Sequence, residues 1–160
     1  MTNALTETFW DRLDSVQAAM LDAGGGRFVP MAPYADAEAG AIWFITADGT
    51  DVAKTAASGG IGKMMIADAS ANLYADLEGR MHIVDNPEKL SELWSMAASA
   101  WFEEGRDDPD IRLVKLTPTT AEIWATDGAA GFVFEIAKAK IADTQPDMGT
   151  HGVVNFRAAA

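Results

Sequence analysis

The chain contains no cysteine. Disulfides, thiolate nucleophiles and cysteine-based metal sites are therefore excluded together, which fits a reducing compartment. Histidine is almost as scarce, and His82 and His151 lie too far apart to show metal-ligand spacing. Basic residues are also few: 12 Lys and Arg face 24 Asp and Glu, for a formal charge of −12. That balance rules out the broad basic surface that nucleic acid or an anionic membrane would need. No apolar run is long enough to span a bilayer, and no basic segment followed by an apolar one opens the chain. The expectation is a soluble cytoplasmic protein with neither nucleic acid nor membrane as partner. Any anionic ligand has to be held locally, against the field of the whole molecule.

What is present suits one folded domain. The 160 residues are 49% hydrophobic and 22% charged, an ordinary globular composition. Leu5, Phe9, Leu13 and Val16 recur at helical spacing and predict an amphipathic N-terminal helix. Ala18 to Leu21, the triplet Gly24-Gly25-Gly26 and the run from Arg27 to about Ala32 predict a hairpin. Pro30 and Pro33 suit its second strand to an edge, or to a rim where a ligand replaces a strand, because proline donates no ladder hydrogen bond. Ala41 to Thr46 is apolar on both faces and reads as a central strand, and Thr50 to Ala57 as a short helix. Strands are expected at Lys63–Ala67, Leu73–Leu77, Arg80–Val84, Ile111–Leu116, Thr120–Thr126 and Phe132–Ala139. Asn86-Pro87 starts a helix expected over 87–104, with Leu90, Leu93, Trp94, Ala97 and Trp101 along one stripe. Residues 1–145 thus form the domain, and 146–160 a flexible C-terminal tail.

Chemistry is sparse. Thr50 and Lys54 share a helical face and could hold an anion at the helix start; equally, Thr50 caps and Lys54 is solvated. Arg27 follows three glycines that allow close approach of a ligand, or that only make a turn. Trp124 could stack near a ligand across a subunit boundary, or pack in the core. Glu103, Glu104, Asp107, Asp108 and Asp110 lack the spacing of a calcium loop and read as a solvated segment. No metal site and no nucleophile beside a base can be picked out, so the catalytic residues stay unknown.

One ordered set of residues carries a resemblance. Phe9-Trp10 in a helix is followed by Pro30-Met31-Ala32-Pro33, then by Ile42-Trp43-Phe44-Ile45-Thr46. Gly79-Arg80, Glu92-Leu93-Trp94, Ala100-Trp101-Phe102, Asp107-Asp108-Pro109-Asp110 and Ala121-Glu122-Ile123-Trp124 follow in turn. Over about residues 5–140 this string resembles the general stress protein 26-like family, which is similar in fold to pyridoxamine-phosphate oxidases. The resemblance implies a mainly β protein, a six-stranded antiparallel split β-barrel with flanking helices. It also implies a homodimer with flavin mononucleotide (FMN) at the subunit interface, and a flavin-dependent oxidoreductase-like role with an unidentified small-molecule substrate. Mapped by position, it places Val29, Met31, Phe44, Thr46, Thr50 and Lys54 around the flavin. Two departures stand out. Val29 occupies a place where arginine is common, leaving Arg27 as the nearest, and Val52 stands where a basic residue is usual. The C-terminal Arg/His segment of true pyridoxamine-phosphate oxidases is not recognisable, which argues against that activity. The alternatives are a flavin-holding or other planar-ligand sensor without turnover, and a barrel that no longer binds a cofactor.

Overall fold

The structure is a computed structural model that describes residues 4–94, 102, 104–143 and 149–156. Helix α1 (Ala4–Leu13) buries Leu5, Phe9 and Leu13, the stripe its spacing predicts. Strands β1 (Ala19–Asp22) and β2 (Phe28–Met31) form the expected hairpin, turned by Gly24, Gly25 and Gly26, all at positive φ. Strand β3 (Tyr34–Asp36) follows, then β4 (Ala41–Ala47), helix α2 (Asp51–Ala57), β5 (Ile61–Asp68) and β6 (Leu73–Ile83). After helix α3 (Pro87–Leu93) and a short 3-10 turn come β7 (Ile111–Thr126), helix α4 (Gly128–Ala142) and β8 (Gly149–Asn155).

All strands belong to one antiparallel sheet in the order β2-β1-β5-β6-β7-β4-β3, with β8 also paired to β7. Its two end strands, β2 and β3, are consecutive in the chain, with only Ala32 and Pro33 between them. A sheet whose opposite edges are joined by so short a link has to curl back on itself, giving a half-open barrel. Pro30 sits on the edge strand β2, where its missing N–H costs no ladder bond. The concave face packs Phe9, Leu13, Leu21, Ile42, Phe44, Met64, Leu77, Met81 and Leu116 into the main core. Arg12 pins α1 to the sheet, donating from Nη1 to the Asn72 and Thr126 carbonyls at 2.7 Å each.

The mainly β, antiparallel architecture agrees with expectation, but several elements differ. The sheet holds eight strands among the described residues instead of six; β3 and β8 are the unanticipated ones. β8 pairs with β7 from Thr120↔Asn155 to Thr126↔Gly149, so this part of the expected flexible tail is a strand. Leu73–Leu77 and Arg80–Val84 are one strand: Glu78-Gly79, expected to turn, is a bulge that the ladder passes through. A Cβ on Gly79 would meet the Thr117 carbonyl, so the close approach there requires glycine. Likewise Ile111–Leu116 and Thr120–Thr126 are one strand, β7, running through Pro118. Phe132–Ala139 lies in helix α4, not in a strand. Helix α3 ends at Leu93, where Trp94 is already extended, short of the expected end at 104. The rest of that expectation, Trp101 included, lies outside the described residues.

Helix α3 buries no residue fully. It lies against a small second cluster on the convex side of β4, built from Ala41, Trp43 and Leu113, with Leu90 and Leu93 packed on it. Asp36 ties the two together. Its carboxylate accepts from Lys89 Nζ at 3.1 Å, from Trp43 Nε1 at 3.2 Å and from the Ala39 N–H at 3.1 Å.

Candidate functional site

Where the β1–β2 hairpin faces the start of α2, the surface opens into a cleft of about 390 Å³. Small-molecule sites commonly occupy about 300–1,000 Å³. The hairpin register sets Leu21 opposite Val29, so both reach one wall beside Met31. The other wall comes from Thr46 at the end of β4 and from Gly49 to Val52 at the start of α2. The Thr55 hydroxyl donates to the Ala23 carbonyl, fastening α2 to the end of β1 and fixing the width between the walls.

Of the residues expected around a ligand, Arg27, Val29, Met31, Thr46 and Thr50 come together along this cleft. They derive from two separate stretches of chain, 27–31 and 46–50, so their convergence is a product of the fold. Phe44, Lys54 and Trp124 do not line it. Phe44 is fully buried and spends its side chain in the core, because Ile42 and Phe44 share the concave parity of β4. Lys54 is exposed on α2 and is not among the residues that line the cleft. Trp124 lies at the far end of β7 on the convex face, 38% exposed and stacked on His151 with ring centroids 4.9 Å apart. Sequence reasoning missed the lining roles of Leu21, Gly49 and Asp51. A hairpin register for β1 and β2 would have found Leu21.

The polar end of the cleft is organised by Thr50. Its Oγ1 accepts from the Ala53 N–H at 3.1 Å, caps α2, and donates to the Ala47 carbonyl at 3.0 Å. Thr46 Oγ1 stands 2.9 Å from the same oxygen. A hydroxyl has one proton and two lone pairs. With the first of these given to Ala47, the lone pairs serve Ala53 and Thr46, and the cap reading of Thr50 holds. Arg27 lines the cleft with an exposed side chain and takes part in no ion pair among the described residues. Asp22, buried behind the hairpin turn, accepts from the Gly24 N–H at 2.8 Å and shapes that turn. Among the described residues, no group of three or more His, Asp or Glu is placed to hold a metal ion.

Against known proteins, residues 5–147 match the family described as Pyridoxamine 5'-phosphate oxidase like. The chain belongs to that family. Among solved structures, one assigned as a general stress protein 26 from Jannaschia sp. CCS1 is 47% identical, with a TM-score of 0.87, over 95% of this chain and 98% of that one. A general stress FMN/FAD binding protein from Xanthomonas citri is 27% identical, with a TM-score of 0.67, over 78% of this chain and 90% of that one. A protein related to general stress protein 26, from Clostridium acetobutylicum, shares the fold at 15% identity and a TM-score of 0.61, over 78% of this chain and 91% of that one. No curated protein matches. This chain is thus a split-barrel protein of the general stress protein 26 group, and no helix among its described residues is long and apolar enough to cross a membrane.

Proposed function

We propose that the cleft between the β1–β2 hairpin and α2 seats FMN, and that the protein is a flavin-dependent, oxidoreductase-like member of its family acting on a small molecule. The observation that carries this reading is the convergence of Arg27, Val29, Met31, Thr46 and Thr50 on one cleft of about 390 Å³. The FMN/FAD-binding relative from Xanthomonas citri supports it. Bound flavin supplies the electron transfer chemistry, and the protein orients it and sets its surroundings. Val29 and Met31, both half-buried against the core, offer an apolar wall to a planar ring and keep water from that side. Thr46 and the turn at Gly49 offer polar atoms to the hydroxylated chain beyond the ring.

A homodimer completes the proposal. Across the convex face the ladders align Met20, Met65, Asp76, Glu122 and Val153 in one row. Met20, Met65 and Val153 are exposed there, beside Trp124 and Ile61. Two carboxylates, Asp76 and Glu122, interrupt the row, and the exposed apolar side chains on either side of them are the feature that a second subunit would cover. Sedimentation should show a dimer, and Met65→Lys with Val153→Lys should yield monomer.

Purified protein should be yellow, or its melting temperature should rise with added FMN by mass action. A colourless protein whose melting temperature ignores millimolar FMN would rule the reading out. The ionisable side chains on the cleft wall are Arg27 and Asp51. That favours, as a second reading, flavin held without turnover; bound flavin that resists reduction by nicotinamide donors would select it.

A further inference from the structure

We infer that the cleft grips its ligand by the ring and the hydroxylated chain and gains little from a terminal phosphate, so that riboflavin and FMN bind with similar strength. This rests on the flavin reading above and adds what the cleft selects. Four features of the polar end carry it. The Thr50 hydroxyl is already used by Ala47, Ala53 and Thr46, so a phosphate oxygen could bond it only by displacing one of them. Val52, at the second position of α2, is a buried aliphatic residue whose side chain has no donor to offer, so only its backbone amide could meet a phosphate. Asp51, beside it, lines the cleft with a carboxylate, which repels a dianion. Lys54 is exposed and is not among the residues that line the cleft.

Arg27 is then the one cation among the described lining residues, and Asp51 cancels its formal charge. Arg27 follows a turn of three positive-φ glycines and is solvent-exposed, so a salt bridge to it forms in high dielectric and must order a long side chain. Such a bridge is worth at most about fivefold in affinity. The chain's −12 charge works against a dianion as well.

The test titrates the purified full chain with riboflavin and with FMN, following flavin fluorescence at physiological salt. The expected dissociation constants lie within about tenfold of each other, since one exposed ion pair sets the difference. FMN binding more than about tenfold tighter than riboflavin would overturn the inference while leaving the flavin reading intact. Binding of neither would overturn the flavin reading itself. A second variant checks the electrostatic cause at an exposed position. Asp51→Lys should tighten FMN by about fivefold relative to riboflavin, because it replaces a repulsion with an attraction. Equal effects on both ligands, or none on FMN, would place the phosphate elsewhere and overturn it too.

Discussion

Helices α2 and α3 are each seven residues long and open with the same device. Thr50 accepts from the third amide of α2, and Asn86 accepts from the third amide of α3, which also carries proline at its start. Beyond the cap they diverge. α2 buries Val52, Ala53 and Ala56, the first and last of them in the main core, and its first turn forms a wall of the cleft. α3 buries no residue fully and is fastened by polar contacts: Lys89 bridges Asp36 of β3 at 3.1 Å while pairing with Glu92 within the helix at 2.9 Å, and its ammonium lies 5.5 Å from the Trp43 ring centre. One helix is held by apolar burial, the other by charge and an aromatic shelf. The lesson is that a good cap starts a helix, while the surface beneath decides its task.

The largest effect should come from putting a charge under α2. Val52→Asp should cost about 3–5 kcal/mol, as an unpaired buried charge does, and should lower the melting temperature sharply. Leu90→Ala on α3 should cost no more than about 1 kcal/mol, since the side chain is only partly buried. Equal losses would erase the contrast between the helices.

Next comes acid. Burial pushes the Asp36 carboxyl up, but hydrogen bonds from the Ala39 N–H, Lys89 and Trp43 outweigh it and hold the group below its ordinary value of 3.8. A lowered carboxylate stabilises the fold above the unfolded value, and the contribution disappears as pH falls through the folded one. Urea midpoints of the wild type should therefore drop below about pH 4 by more than those of Asp36→Asn. At the other limb, hydrogen bonds from Lys89 to Glu92 and to Asp36 raise its ammonium above 10.5. That contribution is complete below 10.5 and fades as pH rises through the raised value.

Smaller effects separate the caps. Thr50→Ala and Asn86→Ala should each cost about 1 kcal/mol, measured by chemical denaturation. Thr50→Ala should be the costlier, because the Thr46 hydroxyl also loses a neighbour. Lys54→Ala should change neither stability nor flavin affinity; a loss of FMN affinity would return this residue to the site.

Much of this fold could be read from residue order. The glycine triplet, the edge proline in β2 and the caps at Thr50 and Asn86 are local signals, and their elements begin close to where they are expected. The misreadings share a cause: local chemistry that tertiary pairing overrides. Glu78-Gly79 resembles a turn and Pro118 a break, yet in each case a neighbouring strand carries the ladder across. Phe132 to Ile136 favours a strand by composition but lies in α4. β8 carries no turn signal and gains its order from β7. Among the candidate site residues, those near turns meet along the cleft, whereas Phe44 lies in the core. β4 is apolar on both faces, so its sequence does not tell which side meets the cleft and which the core.

Amide NMR shifts during an FMN titration locate the ligand on the molecule. Saturable shifts are expected in residues 21–31 and 46–52, with α3 and the Trp124–His151 stack unmoved. Shifts that are absent, or that gather on the convex face away from those two stretches, would contradict a flavin seated in the cleft.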